Sequence, residues 1–503
     1  MSVIRRNIVS NLLGSVWITV LTLAITPLQV NLLGIEAYGL IGFIATLQII
    51  FTMFDLGLSS TVTRQIAMDH SPGHQDSKDL LRTAMTIYWG FACVVGVILA
   101  ASSEFIANHW FNTTALSAKN VEHCLYAITF YLAARWPVAF YSGVLMGLQR
   151  MDVLNIVKTA TATLRLLGGI GVLLVWPDLT VFLWWTAFNA IVEVIAYVAV
   201  CRKTTGIASW RFGFSLAALK AVWGFSLSMS ALSMLALLIS QLDRLMLSKM
   251  LSLEDLGYYT LAYNTASTIS LGISAVSSAM MPSFAAAHCQ AASGVLSRRY
   301  DQANRVILFV VGLAAFPLIF FGDAILSAWV GPTASTGASR PLALLAMGFW
   351  LSAVLSNAYS VTIATGHPGM PLKLSALSAV PYAITLYFLV LTHGIDGAAL
   401  AWLLLNLTYV IFLIPSVHRS LLMVSTRRWA VRTVLPFAML GCASFALPRL
   451  ALNYLSSVPH NAITLTALLV AVAAYAAWGY WLLGPNIRAE GAALLGFKGR
   501  PQI

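Results

Sequence analysis

Stretches of about 20 apolar residues, the length a helix needs to cross the hydrocarbon of a bilayer, recur along the whole of this chain with short polar breaks between them. Fourteen can be counted, at approximately 10–33, 39–63, 84–106, 122–147, 154–176, 179–201, 221–248, 256–283, 305–330, 341–365, 371–392, 395–417, 430–450 and 461–484. Backbone polar groups in lipid must be satisfied within the segment, so a chain of this kind folds as a bundle of spanning helices. The predicted class is an all-α polytopic membrane protein. Composition agrees: 59% of the 503 residues are apolar and 9% charged, against roughly 25% charged in a soluble domain. That excludes an ordinary water-soluble enzyme. The 29 Lys and Arg exceed the 17 acids by twelve, but they come singly or in pairs between apolar stretches, which speaks against nucleic acid as a partner.

The basic residues also set an orientation. With the N-terminus in the cytoplasm, 22 of the 29 fall on the cytoplasmic side and four (Lys119, Lys249, Arg340, Arg449) on the other, as the positive-inside rule requires. Both termini are therefore expected on the cytoplasmic side. Arg5 and Arg6 ahead of an apolar run resemble a signal peptide, but the run is too long and lacks an A-x-A site, so it reads as an uncleaved first span. Three arginines, Arg135, Arg165 and Arg244, are left inside the spans. The outer loops are short, the longest near 104–122, which weighs against a membrane polymerase or acyltransferase with an external active site. Five scattered cysteines with no C-x-x-C suggest neither zinc nor disulfides. The absence of G-x-x-x-x-G-K-[ST] leaves ATP-driven export by this chain unsupported. No cofactor or metal is expected.

The polar break from Cys201 to Lys220 divides the chain into six spans before and eight after. This gives an N-terminal lobe at 1–205, a cytoplasmic interfacial linker at 206–220 carrying Phe212 and Phe214, a C-terminal lobe at 221–418, and accessory spans with a cytoplasmic tail at 419–503. Sliding the second part over the first by 218 positions pairs Leu33, Glu36 and Gly39 with Leu251, Glu254 and Gly257, and Ser59, Ser60 and Ala67 with Ser277, Ser278 and Ala285. An offset of six spans makes the halves a parallel repeat, as in several transporter folds.

Residues Asn31 to Gly39 (NLLGIEAYG), Phe54-Asp55-Leu56-Gly57-Leu58 leading to Arg64, Asp243-Arg244-Leu-Met-Leu-Ser, and Leu256-Gly257-Tyr258-Tyr259-Thr-Leu-Ala262 resemble the polysaccharide transporter branch of the multidrug/oligosaccharidyl-lipid/polysaccharide exporter superfamily. Within it the chain is most similar to the Wzx-type flippases of bacterial O-antigen and capsule synthesis, with the likeness concentrated in 5–67 and 221–285. The resemblance implies two six-helix lobes around a central cavity, two accessory C-terminal helices, and alternating access. It further implies a cargo, an undecaprenyl-pyrophosphate-linked oligosaccharide moved from the cytoplasmic to the periplasmic leaflet, with membrane lipids and other polysaccharide assembly proteins as surroundings. A cation-coupled drug or metabolite antiporter of the same superfamily stays open. Its multidrug branch commonly uses an acid in the first span, and 10–33 contain none. The peptidoglycan-precursor flippases have characteristic basic residues in that span, without counterpart here beyond Arg5 and Arg6.

Ionisable residues inside spans are costly to insert and mark function by default. They are Asp55, Arg135, Arg165, Glu193, Asp243 and Arg244. Guanidinium stays charged and grips phosphate oxygens in a fork, so Arg135, Arg165 and Arg244 are candidates for holding a lipid pyrophosphate. Trp136, followed by a helix-breaking Pro137, is a candidate for stacking on a sugar. The competing reading has Glu193 and Asp55 neutralise Arg135 and Arg165 as buried pairs that only fix packing, while Arg244, near a helix end, snorkels to water. Glu193, Asp243 and Asp55 are the candidate sites for a coupling ion. Asp243 and Arg244, being adjacent, point about 100° apart on a helix.

Overall fold

The structure, a computed structural model, describes residues 3–55, 57–69, 78–113, 115–205, 212–289, 294–454, 460–485 and 487–489. Parts of the linker (206–211) and of the tail (490–503) lie outside them. The described residues form helices throughout, with one isolated bridge between Asn112 and Ser252 and no strand. In order they are α1 (Val3–Leu33), α2 (Ile35–Thr52), α3 (Leu58–Asp69), α4 (Lys78–His109), α5 (Ala118–Arg135), α6 (Val138–Gly147), α7 (Met151–Val175), α8 (Leu179–Thr205), α9 (Leu216–Met250), α10 (Leu253–Ser267), α11 (Ile269–Cys289), α12 (Val295–Trp329), α13 (Pro332–Ala364), α14 (Gly369–Val417), α15 (Thr426–Trp429), α16 (Leu435–Tyr454) and α17 (His460–Leu482).

Eleven of the described helical stretches are long and apolar enough to cross a membrane. The count of fourteen differs for reasons visible in the helices. The 54-residue stretch Gly369–Leu422 is two spans, because Gly394 adopts φ 58, ψ −134 and the chain doubles back: Ser378 Oγ donates to Tyr409 Oη at 3.2 Å across the pair. Only glycine takes that conformation at low cost. The fourth expected span is divided into α5 and α6 at Trp136-Pro137, where the missing amide N–H cannot continue the ladder. The expected seventh span, 221–248, lies in α9, a helix of 35 residues that is not among the eleven. The second spans of both halves are interrupted as well, between α2 and α3 and between α10 and α11, without changing the count. Apolar side chains face outward, as Ile156, Leu164, Leu167 and Leu174 do at helical spacing along α7, each at least 44% exposed. A surface like this suits lipid and not water.

The packing divides the chain into two compact units, Met1–Gly257 and Tyr258–Ile503. In the first, α5 packs on α4 and α8, and α7 on α1 and α8. The stretch Phe212–Ser215 runs along the start of α4, its Gly213 and Ser215 amides donating to Thr86 and Thr83, while Phe212 and Phe214 stay exposed. In the second unit α12 packs against α13, α16 and α17 around Phe316, Phe321, Phe445 and Tyr475, so the two terminal spans are integral to its core.

Candidate functional site

The first unit gathers charge inside its helices. Tyr131 and Arg135 lie four residues apart on α5 and so share a face. Arg135 Nη1 donates to the Tyr131 hydroxyl at 2.7 Å, with the guanidinium over the ring. From α7, Arg165 Nη1 donates to the same hydroxyl at 3.2 Å. The hydroxyl in turn donates to Gln48 Oε1 of α2 at 2.7 Å. One donor and two acceptor positions exhaust a phenol's capacity, so Tyr131, 4% exposed, is a saturated hub. Glu193 of α8, also buried, pairs with Arg135 Nε at 3.2 Å. Trp185 of α8 donates its indole N–H to the Arg165 carbonyl at 3.1 Å and packs on Gly168 and Gly169, holding α7 in place.

Two guanidinium groups thus share one tyrosine, and one of them, Arg135, is paired with a carboxylate. Among the described residues Arg165 has no carboxylate partner, and the cluster keeps a net positive charge. The side chain of Arg135 is 24% exposed against 6% for Glu193; Arg165 is half-buried. Both guanidinium side chains thus keep partial exposure while the acid is buried.

The other sequence candidates lie elsewhere. Asp55 does not neutralise Arg165. Its carboxylate accepts from Tyr88 Oη and, at 2.6 Å, from Ser59 Oγ in the first turn of α3. Trp136 sits between the two groups, its ring 4.6 Å from Phe91 and 6.2 Å from Phe51; one flank is committed to packing. Asp243 and Arg244 are both buried, at 1% and 4% exposed, on a helix packed against α2, α3 and α4. Arg244 is enclosed by protein and does not snorkel to water. Asp243 Oδ1 accepts from the Arg244 amide at 2.8 Å.

Sequence reasoning missed Tyr131, Gln48 and Tyr88. The i, i+4 spacing of Tyr131 and Arg135 was a usable signal. Gln48 and Tyr88 had none, because their partners are remote in the chain.

Interrupted spans, with charge collected at the break between α5 and α6, are the build of a multi-pass membrane transporter rather than of an enzyme. The chain belongs to the polysaccharide biosynthesis protein family, whose model matches residues 4–288. A Shigella flexneri protein assigned as an O-antigen transporter is 22% identical over 414 residues, 80% of this chain and 94% of that one. In fold the chain is similar to the lipid II flippase MurJ in an inward closed conformation, with TM-score 0.71 and 12% identity over 93% of this chain and 96% of that one. It is also similar to the MATE multidrug transporter DinF-BH, with TM-score 0.61 and 11% identity over 84% and 97%.

Proposed function

We propose that this protein is a flippase for a lipid-linked oligosaccharide, carrying an undecaprenyl-pyrophosphate-linked O-antigen or capsule repeat unit from the cytoplasmic to the periplasmic leaflet by alternating access. The observation that carries this reading is the convergence of Arg135 and Arg165 on the Tyr131 hydroxyl, with a single carboxylate, Glu193, paired to Arg135 alone. A pyrophosphate headgroup cannot cross hydrocarbon without its charge being met, and a fixed, net-positive pair of guanidinium forks inside the spans meets it. Tyr131 holds both forks in place before the lipid arrives, which lowers the ordering cost of binding. Family membership and the O-antigen assignment of the Shigella relative favour this cargo over a drug.

In the same reading Trp136 offers its remaining face to a sugar, Arg244 contributes positive potential, and Glu193, Asp243 and Asp55 are the places for a coupling proton or cation. Both termini lie in the cytoplasm. Residues 1–205 and 221–418 form the two repeats, joined by 206–220, with 419–503 adding two further spans that pack into the core of the second unit. The deciding experiment is gene deletion in a strain without a redundant flippase. Lipid-linked oligosaccharide should accumulate on the cytoplasmic face and surface polysaccharide should be lost; normal surface polysaccharide overturns the reading. For the site, Arg135→Ala and Arg165→Ala should each abolish complementation at equal protein level, with the Lys variants retaining part of it.

A further inference from the structure

A second concentration of guanidinium groups lies in the C-terminal unit, where the first turn of α12 meets the polypeptide joining α14 to α16. A cavity of about 550 Å³ opens there, lined by Arg298, Arg305, Arg428 and Arg432. The one carboxylate among the described lining residues, Asp301, is already committed. It pairs with Arg305 Nε at 2.9 Å, and its other oxygen accepts from Thr433. Arg305 is held further by the Leu482 carbonyl at 3.2 Å. Arg298, Arg428 and Arg432 are exposed and have no acidic partner among the described residues.

The backbone around this cavity is built in an unusual way. Two π-helical stretches, His418–Leu422 and Ala430–Val434, bracket it; such wide turns are rare and concentrate at functional sites. Between them Met423 takes a left-handed φ of 54, uncommon for a residue with a side chain. The floor is rigid. His418 is fully buried between the Tyr300 hydroxyl at 3.2 Å and Thr426 Oγ1 at 3.1 Å, with Trp429 packed on both rings. At the wall formed by Gly294, Ser297 and Arg298, the positive end of α12 has no side-chain cap. Met423, part of the lining, is 82% exposed.

We propose that this pocket is a binding site for a phosphate-bearing anion, separate from the Arg135 cluster and independent of its role. Unpaired guanidinium forks beside an uncapped helix end match phosphate oxygens. The exposed Met423 in the lining suits a lipid headgroup, whose chains would lie along it.

The test uses the full chain, purified, with Arg298→Gln, Arg428→Gln and Arg432→Gln, singly and combined. Arg427→Gln is the control, being exposed, of equal charge and not part of the lining. Two probes are compared: phosphatidylglycerol in phosphatidylcholine nanodiscs, read as retained lipid by native mass spectrometry, and inorganic pyrophosphate, read by calorimetric titration. Each lining variant should weaken binding about fivefold, and the control should leave it unchanged. Binding of phosphatidylglycerol without pyrophosphate supports the site and identifies its ligand as a headgroup; binding of pyrophosphate with the same residue dependence supports it with a soluble ligand. Loss of equal size in Arg427→Gln, or no loss in the combined variant, overturns it. All four arginines being exposed, the variants remain folded, which gel filtration checks.

Discussion

Gly39 and Gly257 meet in a reciprocal contact. A Cβ on Gly39 would strike the Leu253 carbonyl and the Gly257 amide, and a Cβ on Gly257 would strike the Ile35 carbonyl. Leu253 and Gly257 stand 218 positions after Ile35 and Gly39, the offset at which the halves align in sequence. The same first-turn position, Ile35 on one side and Leu253 on the other, thus supplies the carbonyl that closes on each glycine. The L-x-x-E-x-x-G repeat is a packing motif, kept free of Cβ atoms where two backbones touch.

Alanine at either glycine should separate α2 from the start of α10. Gly39→Ala and Gly257→Ala are each expected to destabilise the protein by about 1–3 kcal/mol, the usual range for overpacking. The double variant should cost less than the sum, since both act on one contact. Thermal unfolding of purified protein measures this. Gly171→Ala, with nothing within 4 Å of its added Cβ, is the matched control and should be neutral or mildly stabilising.

Tyr131→Phe removes the acceptor shared by Arg135 and Arg165 and leaves Gln48 Oε1 without its donor. A loss of about 1–3 kcal/mol is expected for the groups left unsatisfied. Complementation of a flippase deletion should fall further than protein level does, because both forks lose their fixed position. If transport follows protein level alone, Tyr131 is only a packing residue.

Glu193→Gln strands the Arg135 charge among buried neighbours. Breaking such a pair costs about 3–5 kcal/mol when both members are fully buried; the partial exposure of Arg135 and its bond to Tyr131 should hold the effect below that range. Arg135→Gln combined with Glu193→Gln should restore protein level relative to Glu193→Gln alone while transport stays absent. Restored transport in the double variant would sink the headgroup role for Arg135.

Gly394→Ala places a side chain at φ 58, ψ −134, a region occupied almost solely by glycine. A cost of about 1–3 kcal/mol is expected, seen as reduced expression and a lower unfolding midpoint. The local damage should be confined to the turn between the two halves of α14, leaving the Arg135 cluster intact.

The span pattern and the break at Trp136-Pro137 were legible residue by residue; the breaks between α2 and α3 and between α10 and α11, inside the spans expected at 39–63 and 256–283, were not. A run of apolar side chains has one outcome in lipid, and Pro137 and the glycines act on their own backbone. The intramembrane charges were legible as a set. Their partners were not. The pairing of Arg135 with Glu193 was one of two readings the spans allowed, and the matching pair of Arg165 with Asp55 does not form, because Tyr88 and Ser59 take that carboxylate.

By itself the sequence determined a polytopic helical bundle with six charges inside its spans, since hydrophobic length, charge and backbone restriction act locally; the transporter class came with the motifs that resemble a known family. The tertiary structure decided that Tyr131 joins two arginines 30 residues apart, that Gln48 completes the hub, and that Arg244 is enclosed by protein. Those outcomes depend on how each helix is rotated about its axis and which neighbour it meets, and neither is set by spacing along one chain segment.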